Sequence, residues 1–311
     1  MKYLKYILLV TAALVMLASC YKDEPDRSQT IYDDTDLPQR NEFDRWLLKN
    51  YTFPYNIEFN YLYNDKLTNN NYNVIPATRE NSQAMAILIK NVWLDAYVET
   101  AGENFIKNNS FRVFQLIGSP QYDGQGKIVL GTAEGGIQVT LFRINELDIE
   151  NIYVNQDDPY RSHNALPLDL NYWYFHTMHH EFCHILTQKK NYSTDFQAIS
   201  AGKYHSADWV NVEDKDAAKE GFVTGYASGE YNEDFAEVYS TYVTSSDAAW
   251  NAILANGVVD GDDSGKLAIE QKLEIIRSYL LDSWGIDLEA LRTVVLRRSS
   301  EAASLDLKTL K

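Results

Sequence analysis

The chain has 311 residues, 45% of them hydrophobic and 23% charged, enough apolar material for one large domain or two small lobes with a real core. Its 28 basic and 44 acidic residues leave a formal charge of −16, a field that repels phosphate backbones and argues against a nucleic-acid partner. Only Cys20 and Cys183 are cysteines, and with Cys20 committed as described next, the mature chain has no intrachain disulfide to brace it.

Lys2 and Lys5 precede the uncharged apolar stretch Ile7 to Met16, and Leu17-Ala18-Ser19-Cys20 follows with small residues before a cysteine. This is the layout of a secretory signal, and it is shorter than the roughly 20 apolar residues of a spanning helix. It resembles the bacterial lipoprotein signal, which implies removal of residues 1–19 and lipidation of Cys20. Lys22-Asp23-Glu24 is similar to a surface-export tag of lipoproteins in one phylum of gut-dwelling bacteria; a solvated acidic tether is the alternative. An outer-membrane lipoprotein is expected, on the cell surface or facing the periplasm. Residues 20–40, polar and holding Pro25 and Pro38, read as a flexible tether.

Ordered structure is expected from Phe43-Asp44-Arg45-Trp46-Leu47-Leu48, a short amphipathic helix. Ile57 to Tyr63 alternates like a strand. Ser82 to Thr100 carries Met85, Ile89, Val92, Leu94 and Tyr97 at helical spacing, with Gly102 as a stop. Phe111 to Ile117 reads as a strand, and Lys127 to Ala133 with Ile137 to Arg143 as a hairpin around Glu134-Gly135-Gly136. A long helix is predicted over Tyr172 to Gln188, an irregular polar stretch over Asn191 to Glu220, then helices over Asn232 to Val243, Leu267 to Trp284 and Leu288 to Arg298. Strands first and helices later predict an α+β fold. Residues 41–190 are expected to form an N-terminal lobe with the sheet and the H-E-x-x-H helix, and residues 191–311 a helical C-terminal lobe.

The segment His180-Glu181-Phe182-Cys183-His184 is an H-E-x-x-H pattern within the Tyr172–Gln188 helix. Residues four apart rise about 6 Å and differ by about 40° in azimuth, so both imidazoles face one point. That suits two nitrogen ligands of a tetrahedral Zn2+. Glu181, about 100° round the helix, flanks the metal where it can reach a water as general base. His176 and His179 read as packing or ligand-supporting residues, and Cys183 as a small buried filler. A hydrolytic site needs a third protein ligand and an open position. Glu233 and Glu237 share a face of the following helix, so one can bind zinc while the other orients a ligand from behind. Asp260 to Gly265 begins like a calcium loop, but Gln271 stands where a bidentate carboxylate is required; a solvated turn capping the next helix is expected.

H-E-x-x-H plus a glutamate is the arrangement of the gluzincin metallopeptidases. Glu233-Asp234-Phe235-Ala236-Glu237, with Tyr226 seven residues earlier, resembles the active-site segment of anthrax lethal factor. That resemblance implies Glu233 as third ligand, Glu237 behind a ligand, and Tyr226 as transition-state electrophile. Further fragments span most of the mature chain: Pro54-Tyr55-Asn56-Ile57, Gly131 to Gly136, His179 to Leu186, and Gly221 to Tyr226. They are similar to the substrate import-associated zinc metallohydrolase lipoproteins. The resemblance implies a zincin-like metallopeptidase fold and hydrolysis of a peptide or protein substrate. It also implies association with an outer-membrane uptake complex, and the chain is expected to be a monomer. A non-catalytic binding or assembly lipoprotein on the same scaffold is the competing expectation, and a structural zinc site with His176 or Cys183 as fourth ligand is a third.

Overall fold

Four short strands form the sheet on which the helices pack in the computed structural model. It describes residues 39–311 except 70–71, 123–127, 130, 135–136 and 163. The expected signal, Cys20, the Lys22-Asp23-Glu24 tag and nearly all of the tether lie outside the described residues, as do Lys127 and the Gly135-Gly136 turn.

Helix α1 (Glu42–Leu47) opens the described chain with a reciprocal cap, the Asn41 side chain accepting from the Asp44 N–H and Asp44 from the Asn41 N–H. Strand β1 is Glu58–Asn60, shorter than the alternation suggested. Helix α2 (Arg79–Leu88), capped by Thr78, runs through a π-helical turn at Ile89–Leu94 into α3 (Asp95–Ala101). Gly102 ends it at φ 86°, where a side chain would be strained. Helix α4 (Glu103–Asn109), which the sequence reading did not anticipate, leads to β2 (Val113–Leu116).

The hairpin comprises β3 (Gly131–Glu134) and β4 (Gln138–Leu141), with Thr132 opposite Thr140. Ile128–Val129 pairs instead with Gln121–Tyr122 in a separate two-stranded piece. The sheet order is β1-β2-β4-β3; the first three strands are parallel and β3 is an antiparallel edge. The inner parallel strands β2 and β4 bury every residue but Val113, as strands covered by helices do, while Glu58 at the start of β1 is exposed.

A π-helical turn at Asn171–His176 continues into α5 (Thr177–Lys189), the H-E-x-x-H helix. The stretch from Asn191 to Glu220 contains short helical turns at Asp195–Ile199, Ser206–Asn211 and Asp214–Glu220. Four helices follow. These are α6 (Tyr231–Thr244), α7 (Asp247–Asn256), α8 (Ser264–Tyr279, prolonged by a π-helical turn to Trp284) and α9 (Leu288–Glu301). Asp260–Asp263 is an exposed turn into α8, where Asp262 Oδ1 accepts from the Ser264 N–H at 2.9 Å, and Gly265 is already buried in the helix. Asn41–Lys311 is one compact unit, and this mixed α/β arrangement is the fold class expected.

The core explains how α5 is held. Phe182, fully buried, meets the edge of Trp93 at 5.3 Å and of Tyr97 at 4.8 Å, while Trp93 stacks on Phe111. Such aromatic pairs add about 0.5–1.5 kcal/mol each beyond their burial. One face of α5 is thereby pinned to the sheet and α3, and the opposite face carries His180 and His184, with Glu181 on the flank between. Helix α6 packs against α5, and edge strand β3 passes alongside it.

Candidate metal centre

His180, His184 and Glu233 converge across the contact of α5 with α6, their donor atoms all within 4.8 Å of one another. His180 Nε2 lies 2.9 Å from Glu233 Oε2 and 3.1 Å from His184 Nε2, and His184 Nε2 lies 3.3 Å from Glu233 Oε2. A tetrahedral zinc with bonds of about 2.0–2.1 Å separates its ligand atoms by about 3.3 Å, so these three donors fit that ion closely. Among the described residues no fourth His, Cys, Asp or Glu joins the group, which leaves a coordination position for water or substrate. Cys183 is turned into the core, and burial pushes its thiol pKa far up.

The two glutamates of α6 are told apart by which nitrogen they face. Glu233 meets the two Nε2 atoms, while Glu237 Oε1 lies 2.7 Å from His180 Nδ1 on the far side of the ring. Glu237 is itself fixed, because the Thr224 hydroxyl donates to its Oε2 at 2.7 Å and His176 Nε2 lies 3.6 Å from Oε1. His176 also meets the Ser240 hydroxyl at 2.9 Å. A carboxylate behind an imidazole fixes its tautomer and raises its basicity.

The charges follow from these contacts. Burial opposes a charge on His180, but the carboxylates of Glu233 and Glu237 outweigh it and push its pKa up to about 10. Burial also works against the anionic carboxylates, yet His180 and His184 hold Glu233 below the ordinary range, and His176 and His180 hold Glu237 at about 2. Glu181 moves the other way: burial raises its pKa, only partly offset by His180 and His184. A carboxyl so poised takes up a proton more readily than an exposed one. His179 differs from its neighbour, since it is fully buried, meets the Tyr97 hydroxyl at 2.7 Å, and is kept neutral by burial with a pKa near 3. It packs in the core, away from the metal donors.

Tyr226 reaches the same place from the loop before α6, its ring 5.8 Å from the His180 ring. Burial and the charge of Glu233 raise its pKa, so the hydroxyl stays a donor. Trp209 meets the Tyr226 ring edge-on at 4.9 Å, and Asp214 Oδ1 accepts from the Gly225 N–H at 2.8 Å. Gly225 is obligatory here, because a Cβ would stand 2.1 Å from the Val212 carbonyl oxygen. Trp209 and Asp214 have no signal in the sequence, since nothing in the spacing of the polar, irregular stretch Asn191 to Glu220 marks which residues fold back; Thr224 lies in the Gly221 to Tyr226 fragment, but nothing there points to its bond with Glu237. Beside the centre a cavity of about 610 Å³ opens, with Glu181, His184 and Glu233 in its wall.

The comparisons with known proteins agree with this geometry. The family described as "Putative zinc-binding metallo-peptidase" matches residues 37–289. Among solved structures, the chain is similar to the crystal structure of a "putative zinc-binding metallo-peptidase" from Bacteroides caccae. The identity is 39% and the TM-score 0.71, over 91% of this chain and 100% of the other. No curated protein matches. A family match spanning most of the chain, and a solved relative sharing its fold, agree with a donor set suited to zinc: the chain belongs to this family of zinc-binding metallo-peptidases.

Proposed function

We propose that the protein is a gluzincin-type peptidase that hydrolyses peptide bonds with His180, His184 and Glu233 as zinc ligands. The observation that carries the reading is the Glu181 carboxyl, which shares one cavity wall with His184 and Glu233. When bound, zinc supplies a Lewis acid and brings the pKa of a water down to about 7. Glu181 takes the proton of the attacking water and later delivers it to the leaving amine nitrogen. The Tyr226 hydroxyl donates to the oxygen that becomes negative as the carbonyl turns tetrahedral, a contact of the kind worth about 3–4 kcal/mol. Glu237 keeps the His180 ring turned so that Nδ1 faces the carboxylate and Nε2 faces the metal donors. The similarity of Tyr226 and Glu233 to Glu237 to the lethal factor segment supports these roles.

The test is cleavage of a peptide library by the zinc-loaded protein beside Glu181→Gln and Tyr226→Phe. Glu181→Gln loses turnover by at least about a hundredfold while keeping its zinc, and Tyr226→Phe lowers kcat by about a hundredfold or more. Unchanged turnover in Glu181→Gln contradicts the assignment. An absence of any cleavage by the zinc-loaded parent favours a binding or assembly lipoprotein on this scaffold.

The same reading places the protein on the bacterial outer membrane, anchored by lipid on Cys20 and serving a nutrient-uptake complex. Its support is the signal layout before Cys20 and the similarity to import-associated lipoproteins. Changing Cys20→Ala moves the protein from the membrane to the soluble fraction if the anchor is as described; continued membrane retention of that variant contradicts it.

A further inference from the structure

The cavity beside the metal centre extends well past the reacting groups. It follows the last turns of α5 to the segment Glu230 to Glu233 that opens α6. At about 610 Å³ it is within the range of pockets that enclose a ligand. Its wall is polar, and away from the metal donors its charged group is acidic. Among the described residues its carboxylates are Glu181, Glu233 and Glu230, its one imidazole is the metal donor His184, and no lysine or arginine lines it. The two lysines nearest in sequence are turned elsewhere. Lys189 Nζ donates to the Asn108 carbonyl at 2.7 Å, and Lys190 Nζ donates to the Ser283 carbonyl and lies over the Trp284 ring.

Glu230 is half-buried, and among the described residues its side chain accepts from the Asn232 amide at 3.3 Å and has no ion pair. With Glu233 turned to the metal donors and Glu181 beside them, Glu230 is a carboxylate with no cationic partner in the wall. Gln188, Asn191 and Gln197 add neutral amides whose oxygens can accept N–H groups beside the Glu230 carboxylate. A carboxylate without a counter-charge, flanked by groups that can turn an oxygen toward the ligand, suits a side chain that is all donors, which an ammonium or guanidinium is. An acidic side chain there meets repulsion and no counter-charge.

We infer that this cavity is a specificity pocket for a lysine or arginine side chain flanking the scissile bond, with Glu230 as its counter-charge. The inference rests on the peptidase reading and narrows its substrate class to basic peptides. The overall charge of −16 favours the approach of such substrates.

The experiment compares matched fluorogenic peptides carrying Lys, Arg, Ala or Glu at each position flanking the cleaved bond. The zinc-loaded parent, Glu230→Gln and Glu230→Lys are assayed in parallel, with zinc content and melting temperature as folding controls. The parent is expected to prefer Lys or Arg over Glu at one position, and Glu230→Gln to cut that preference about tenfold, the worth of one charge-assisted hydrogen bond. Glu230→Lys reverses the order. Titration of the same peptides into zinc-loaded Glu181→Gln gives the same ranking in Kd. A parent that cleaves peptides without regard to charge, or a preference untouched by Glu230→Lys, overturns the pocket assignment and leaves the peptidase reading standing. No cleavage of any peptide overturns the peptidase reading, and the substrate class with it.

Discussion

His180 is gripped from both sides, with Glu237 at Nδ1 and Glu233 at Nε2, and no other residue of the centre carries so much of its organisation. Changing Glu237→Ala removes the carboxylate behind the ring and leaves the Thr224 hydroxyl without its acceptor. Zinc affinity then falls by about 10–100-fold, the usual cost of losing a carboxylate behind a ligating histidine, as competition with a chromophoric chelator will show. At this scale much was legible beforehand. The four-residue spacing of His180 and His184 on a helix forces their rings together whatever surrounds them. The two α6 glutamates were ambiguous for the same reason, since residues four apart share a face. Only the approach angle of α6 onto α5 decides which one meets both Nε2 atoms.

The elements that position the site are fastened by a group with no sequence signal, Lys272 of α8. Its Nζ lies 2.6 Å from Asp234 Oδ2 and donates to the Gly221 carbonyl at 2.7 Å, with both side chains fully buried and the Phe222 ring 4.2 Å away. Asp234 follows Glu233 directly, and Gly221 begins the loop that carries Tyr226. One lysine therefore ties α8 to both segments. Lys272→Met strands a buried carboxylate and is expected to cost about 3–5 kcal/mol of stability, read as a lowered melting temperature. The double variant Lys272→Met/Asp234→Leu regains most of it, because removing both partners leaves no unpaired charge. A lysine on an otherwise amphipathic helix reads from sequence as a solvated residue, so this clamp was invisible. Helix α7 was overlooked although Ser246 caps it and Trp250, Ile253 and Leu254 give it a buried side. Its ten residues are too few for the periodicity to stand out against neighbouring loops. The long helices around it were legible because their apolar spacing persists over several turns.

Across the whole molecule, the centre joins a helix from the middle of the chain to one about fifty residues later, so zinc and fold are linked. In the zinc-free protein His180 is protonated at neutral pH, its pKa raised from 6.5 to about 10. Because the folded value lies above the unfolded one, the charge stabilises the zinc-free fold fully below pH 6.5, and that contribution is lost as the pH climbs through about 10. Zinc requires a neutral imidazole, so binding near pH 7.5 is expected to release about one proton from this group. Calorimetric titrations in buffers of different ionisation enthalpy measure that number, and a binding enthalpy indifferent to buffer contradicts it. Zinc in thousandfold excess over its Kd adds about 4 kcal/mol to stability, which a chelator removes.

The measurement that bears most directly on this account is zinc per chain by elemental analysis, for the parent beside His184→Ala and Glu233→Ala. The account predicts about one zinc in the parent, and weakened or lost metal in both variants with the fold retained by circular dichroism. A parent that stays metal-free after zinc is supplied, or a Glu233→Ala protein that binds zinc as tightly as the parent, would contradict it.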